Sequence, residues 1–143
     1  MLEMIPLLAV AAAVASLALA AYYARFVNAA DAGSAVMQEI ATAIRDGAMA
    51  FLRREYRAIA VFVVVLASVV YAVLPALRPW GSLSLVLGAV FSAIAGFVGM
   101  RIATAANVRT AQAAREGADR ALPLAYRGGA VMGFTVAGLG LLG

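Results

Sequence analysis

An all-α, polytopic transmembrane helix bundle is the fold class that this sequence predicts, with the N-terminus outside and long helical extensions in the cytoplasm. Three observations predict it. Apolar residues make up 66% of the 143 residues, and the mean hydropathy is +0.99, which is membrane-protein composition. Uncharged runs recur at about the 20 residues that a helix needs to cross a ~30 Å hydrocarbon core. The 11 basic residues, all arginine, gather at the ends of those runs.

The first run, Met4 to Ala24, holds 21 uncharged residues and is read as the first span, 4–26. Ala18-Leu19-Ala20 resembles a signal-peptide cleavage site. However, the preceding segment carries Glu3 and no basic side chain, and the run is long for a signal core. A retained helix is therefore expected.

Residues 32–57 are read as a cytoplasmic amphipathic helix continuing into a second span, 58–76. At 100° per residue, Gln38, Glu39, Thr42, Arg45, Asp46 and Arg53 fall within about 120° of arc. Val36, Ile40, Ala43, Ile44, Gly47 and Phe51 fall opposite, within about 100°. Asn28, Asp31 or Ser34 is available to cap the start. Gly47, central in the apolar stripe, suggests close approach by another helix. Arg54 and Glu55 interrupt the stripe where the membrane begins. Interfacial anchoring explains them, and at least one is expected to pair with a neighbouring helix. No breaker separates the polar stretch from the uncharged run after it. Ser34 to Leu74 thus reads as one helix of about 60 Å, of which half fits the bilayer.

The third span, 81–101, follows the turn Arg78-Pro79-Trp80-Gly81, with Trp80 suited to the interface. Gly88, Ser92 and Gly96, with Ala89 and Ala93, form a small-residue stripe for close helix packing. A cytoplasmic extension, 102–118, follows. Pro123 marks a turn or the start of a fourth helix, 124–143, with Gly129 and Gly133 spaced for packing. Its apolar part, Gly128 to Gly143, has 16 residues, short of the ~20 of a span, so this helix is read as truncated.

Orientation follows from arginine counts. Ten of the eleven flank the two long polar connections, and only Arg78 lies on the other side. The positive-inside rule then places both connections inside and the N-terminus outside. The same distribution argues against nucleic-acid binding, despite a pI near 10.1, because the arginines form no soluble basic face.

Little chemistry is on view. The absence of Cys and His removes thiolate and imidazole nucleophiles, a disulfide framework and the usual transition-metal ligands. The uncharged runs hold no ionisable residue of the kind that lines an ion pathway. Asp31, Glu39, Asp46, Glu55, Glu116 and Asp119 do not cluster in sequence as magnesium ligands would. Arg101, Thr104, Asn107 and Arg109 come nearest to a constellation. Anion attraction is its functional reading, and positive-inside charge on a helix surface the simpler one. No catalytic, cofactor-binding or metal-ligating residue is assigned.

Three stretches carry a resemblance: GSAVMQEIATAIRDGAMAFLRREY (Gly33–Tyr56), GMRIATAANVRTAQAAREG (Gly99–Gly117) and AYRGGAVMGFTVAGLGLLG (Ala125–Gly143). In order and spacing they resemble the first helices of membrane-bound, ion-translocating inorganic pyrophosphatases. The resemblance implies an N-terminal fragment of a polypeptide several times longer, set in the bacterial plasma membrane and working as a homodimer. That polypeptide would hydrolyse pyrophosphate with Mg²⁺ and move H⁺ or Na⁺ out of the cytoplasm. The matching stretches resemble the proton-pumping, potassium-independent branch somewhat more. The family's Asp-rich substrate motifs and gate residues lie on later helices, so the resemblance assigns pyrophosphate and Mg²⁺ to parts outside this sequence. Outer-ring scaffolding is then the role of this segment, its partners being the remaining helices and the lipid bilayer. The alternative is a complete small four-helix membrane protein, either exporter-like or a non-enzymatic scaffold. Neither Glu3 nor Glu55 suits the membrane-embedded proton-coupling glutamate of the exporters.

Overall fold

The structure, a computed structural model, describes residues 4–143; Glu3 lies outside the described residues. Four helices follow one another: α1 (Met4–Ala29), α2 (Ala35–Val73), α3 (Trp80–Ala114) and α4 (Ala118–Leu142), with a 3-10 turn at Pro75–Leu77 between α2 and α3. No strand occurs among the described residues. Helices α1, α2 and α3 are each long and apolar enough to cross a membrane. This is a polytopic helical membrane fold. Helix α4 does not reach that standard, in keeping with its short apolar run.

Local chemistry accounts for the boundaries. Of the three caps offered by the sequence, Ser34 is the one used: its Oγ accepts from Met37 N at 3.4 Å, and α2 begins at Ala35. Helix α2 then runs 39 residues without a break, through the expected junction at 57–58. It ends before Pro75, whose ring disfavours helical backbone at the preceding Leu74. The last carbonyls of α2 would otherwise lack partners. Arg78 supplies them: Nε donates to Tyr71 O, Nη2 donates to Ala72 O at 2.6 Å, and the guanidinium lies 4.8 Å from the Tyr71 ring centre. The one arginine on the far side of the bundle is thus a helix cap.

Two boundaries differ from expectation at the third connection. Helix α3 stops at Ala114, short of the expected 118, and the chain reverses through Gly117 at φ 132°, a conformation that glycine adopts without strain. Helix α4 begins at Ala118, not 124, so Pro123 lies inside the helix. A proline this near the start withholds one bond, to the Asp119 carbonyl, and the first turn forms regardless.

The packing is asymmetric. Helix α4 lies between α1 and α3 and touches both, whereas α2 meets α3 alone among the helices. The core holds Ala20, Ile102 and Val131, ringed by Tyr23, Ala24, Val98 and Phe134. Small residues make it possible. A Cβ on Gly128 would stand 2.7 Å from Ala106 Cβ, and one on Gly138 2.7 Å from Leu17 Cγ, both closer than packed carbons allow. Gly129 and Gly133, singled out by their spacing, face open space, and so do Gly47 and Gly88. The packing glycines of α4 are therefore Gly128 and Gly138. Spacing alone could not choose between the two sets, since each fits a helical stripe.

Candidate functional site

The polar residues of α3 beyond the uncharged run divide between two cavities. Arg101 and Arg109 line one. Thr104 and Asn107 line another, a groove of about 350 Å³ shared with Met37, Ile40, Ala41 and Ile44 of α2. The four-residue constellation is thus two separate surfaces. Thr104 is buried, and its hydroxyl donates to Met100 O and Arg101 O at 3.0 Å, which satisfies it within its own helix.

Arg109 is committed to structure. Nη1 donates to Ala105 O at 2.9 Å, Nε to Ala30 O at 3.1 Å, and Nη2 to Asn28 O at 3.4 Å. One turn further on, Gln112 Nε2 donates to Asp31 Oδ2 at 3.2 Å. Together they hold the α1–α2 connection against α3. Inside that connection, Gly33 N donates to Asp31 Oδ1 at 2.9 Å and Gln38 Nε2 to Gly33 O at 2.8 Å. Gly33 itself sits at φ 79°, the left-handed region that favours glycine.

The structure adds a residue that linear reading left in another segment. Arg45 of α2 joins Arg101 and Arg109 around a cavity of about 530 Å³ between α1, α2 and α3, lined also by Asn28 and Phe97. Its one sequence signal was a place on the polar arc of the amphipathic helix. Arg54 and Glu55 are both exposed, and the expected pairing with a neighbouring helix is not formed among the described residues. Their neighbour Tyr56 forms the junction instead: its hydroxyl donates to Ala93 O at 2.6 Å and lies 3.0 Å from where a Cβ on Gly96 would be. The small-residue stripe of α3 is the seat for this ring. On the other face, the Arg127 guanidinium stands 3.8 Å over the centre of the Phe26 ring, a cation–π contact tying α4 to α1.

No group of three or more acidic side chains converges among the described residues. The residues present therefore do not fit a magnesium site, and no step of hydrolysis is assigned to them.

Comparison with known proteins supplies what this geometry lacks. Residues 14–143 match the family model described as inorganic H⁺ pyrophosphatase. The chain is 45% identical to a K⁺-insensitive pyrophosphate-energized proton pump of Methanosarcina mazei, over 90% of this chain and 19% of that protein. It is 46% identical to a putative K⁺-stimulated pyrophosphate-energized sodium pump of Clostridium tetani, over 87% of this chain and 18% of that protein. A second K⁺-insensitive proton pump, from Moorella thermoacetica, is 41% identical over 99% of this chain and 20% of its own length. The chain spans about a fifth of the length of the curated relatives it matches. Its three span-capable helices and the match over nearly its whole length agree. The chain belongs to the inorganic H⁺ pyrophosphatase family.

Proposed function

We propose that this chain is the N-terminal scaffold of a membrane pump that hydrolyses inorganic pyrophosphate and uses the energy to carry H⁺, in preference to Na⁺, across the membrane. The observation that carries this reading is the family match over residues 14–143, with relatives named as pyrophosphate-energized pumps. In this reading pyrophosphate and Mg²⁺ bind on helices beyond this sequence, and the whole protein is a homodimer of the bacterial plasma membrane. The span assignments 4–26, 58–76, 81–101 and 124–143 belong to the same proposal. So does the orientation, with the N-terminus outside and both polar connections in the cytoplasm. Ten arginines at those connections support it, and the eleventh, Arg78, is held by the C-terminal carbonyls of α2.

The test uses membrane vesicles carrying the full-length protein. Pyrophosphate and Mg²⁺ are added, and phosphate release is followed alongside an internal pH-sensitive dye. Coupled release and acidification is the expected result. Release that requires Na⁺ without acidification replaces the proton with sodium, and no release above control vesicles overturns the reading. The 143-residue chain alone is expected to release no phosphate.

A further inference from the structure

The cavity between α1, α2 and α3 is unlike the others in its charge. Arg45, Arg101 and Arg109 line it together with Asn28, and no acidic residue does. Three guanidinium groups around one space repel each other unless an anion joins them. Their states differ. Arg109 is fixed by the carbonyls of Asn28, Ala30 and Ala105, and a guanidinium has five N–H groups, so some remain to donate. Arg45 and Arg101 are exposed and carry the free positive charge of the site. Planar forks of this kind match phosphate oxygens two at a time.

The rest of the lining is apolar. Ala24, Phe97 and Val98 form one wall, and Phe97 continues to the outside, 42% exposed. Arg101 is the first charge after the uncharged run of α3, and Ala24 the last residue of the uncharged run of α1. The cavity therefore opens where hydrocarbon gives way to the polar interface. A fully hydrated ion gains nothing from such a wall, whereas a phosphate attached to a hydrocarbon chain matches both parts.

We propose that this cavity binds the phosphate of an anionic phospholipid, held by Arg45 and Arg101 beside the fixed Arg109, with the upper acyl chain against Phe97 and Val98. Basic pockets between membrane helices recognise acidic headgroups by this combination of charge and apolar wall. The inference does not depend on the reaction that the whole protein catalyses.

The experiment uses the full-length protein in neutral detergent, with thermal unfolding followed as lipid is titrated. The probes are dioleoylphosphatidylglycerol, dioleoylphosphatidylcholine and inorganic phosphate. Phosphatidylglycerol raises the unfolding midpoint saturably, and phosphatidylcholine does not. Arg45→Gln and Arg101→Gln each shift the lipid concentration needed upward by roughly fivefold, and the double variant by roughly 25-fold. Arg45→Lys with Arg101→Lys keeps most of the response, which separates lost charge from a damaged fold. Three results overturn the proposal. These are an unchanged titration in the double Gln variant, an equal response to phosphatidylcholine, or the full effect from inorganic phosphate alone, which makes it a free-anion site.

Discussion

Helices α1, α3 and α4 close on one another through glycine and alanine, while α2 leans on α3 along one edge and shows its apolar stripe to the outside. On the first side Val27 and Val131 are 0% and 1% exposed, whereas on α2 Val36, Ile40, Ile44 and Phe51 are 64%, 56%, 48% and 57% exposed. Exposure of this kind means different things along one helix. In the span of α2, apolar side chains facing lipid are at home, since lipid tails are as apolar as their alternatives inside a bundle. In the polar half, where charged residues flank the stripe, an apolar surface of that length is of the kind that marks an interaction site. Helices α1, α3 and α4 share a buried seam, whereas the stripe on the polar half of α2 stays exposed among the described residues.

Three measurements on the full-length protein break or sharpen that contrast. The largest effect is expected at the tight side. Gly128→Leu forces a side chain into Ala106 and costs roughly 3 kcal/mol, read as a lowered midpoint in denaturant unfolding. Gly129→Ala, one residue along and open to space, stays within about 0.5 kcal/mol. Equal effects at the two positions would show that α4 is rotated from the arrangement described.

The next tests α2. If later helices cover its stripe, Ile44→Ala loses about 2 kcal/mol. A change under about 0.5 kcal/mol would mean that the stripe stays open in the whole protein, and the contrast between the two sides would then be one of function, not of missing partners.

The smallest concerns the seam between the two sides. Tyr56→Phe removes the bond to Ala93 O and costs about 0.6 kcal/mol, the usual size for a hydrogen bond between membrane helices. Gly96→Ala crowds the same hydroxyl, so its cost should fall when Tyr56 is already Phe. A double-mutant cycle with no coupling would sink the assignment of this contact as the α2–α3 junction.

Most of the fold was legible, because uncharged runs and the pattern of arginines are properties of the chain itself. Even the continuity of α2 was readable, from the absence of a proline between Ser34 and Leu74. What was not legible depends on neighbours. Gly128 and Gly138 pack while Gly129 and Gly133 do not, and that choice is the rotation of α4 about its axis, fixed only by Ala106 and Leu17. Pro123 looked like a boundary because proline usually is one; Gly117, six residues earlier, makes the turn instead. The arginine cavity shows the same limit. Arg101, Thr104, Asn107 and Arg109 are close in sequence yet line two cavities, while Arg45 is distant in sequence and completes the site. Arg54 and Glu55 drew notice as charges out of place, but the contact near them belongs to Tyr56.

The unbroken course of α2 has a mechanical consequence. With Tyr56 seated on Ala93 near its middle, the helix extends about 32 Å to Ala35 on one side and about 26 Å to Val73 on the other, at 1.5 Å per residue. A second bond, from the Ser82 hydroxyl to Ala67 O at 3.0 Å, ties the shorter arm to α3 as well. With no proline along the way to absorb bending, a displacement of α3 carries both arms of α2 together as one stiff rod.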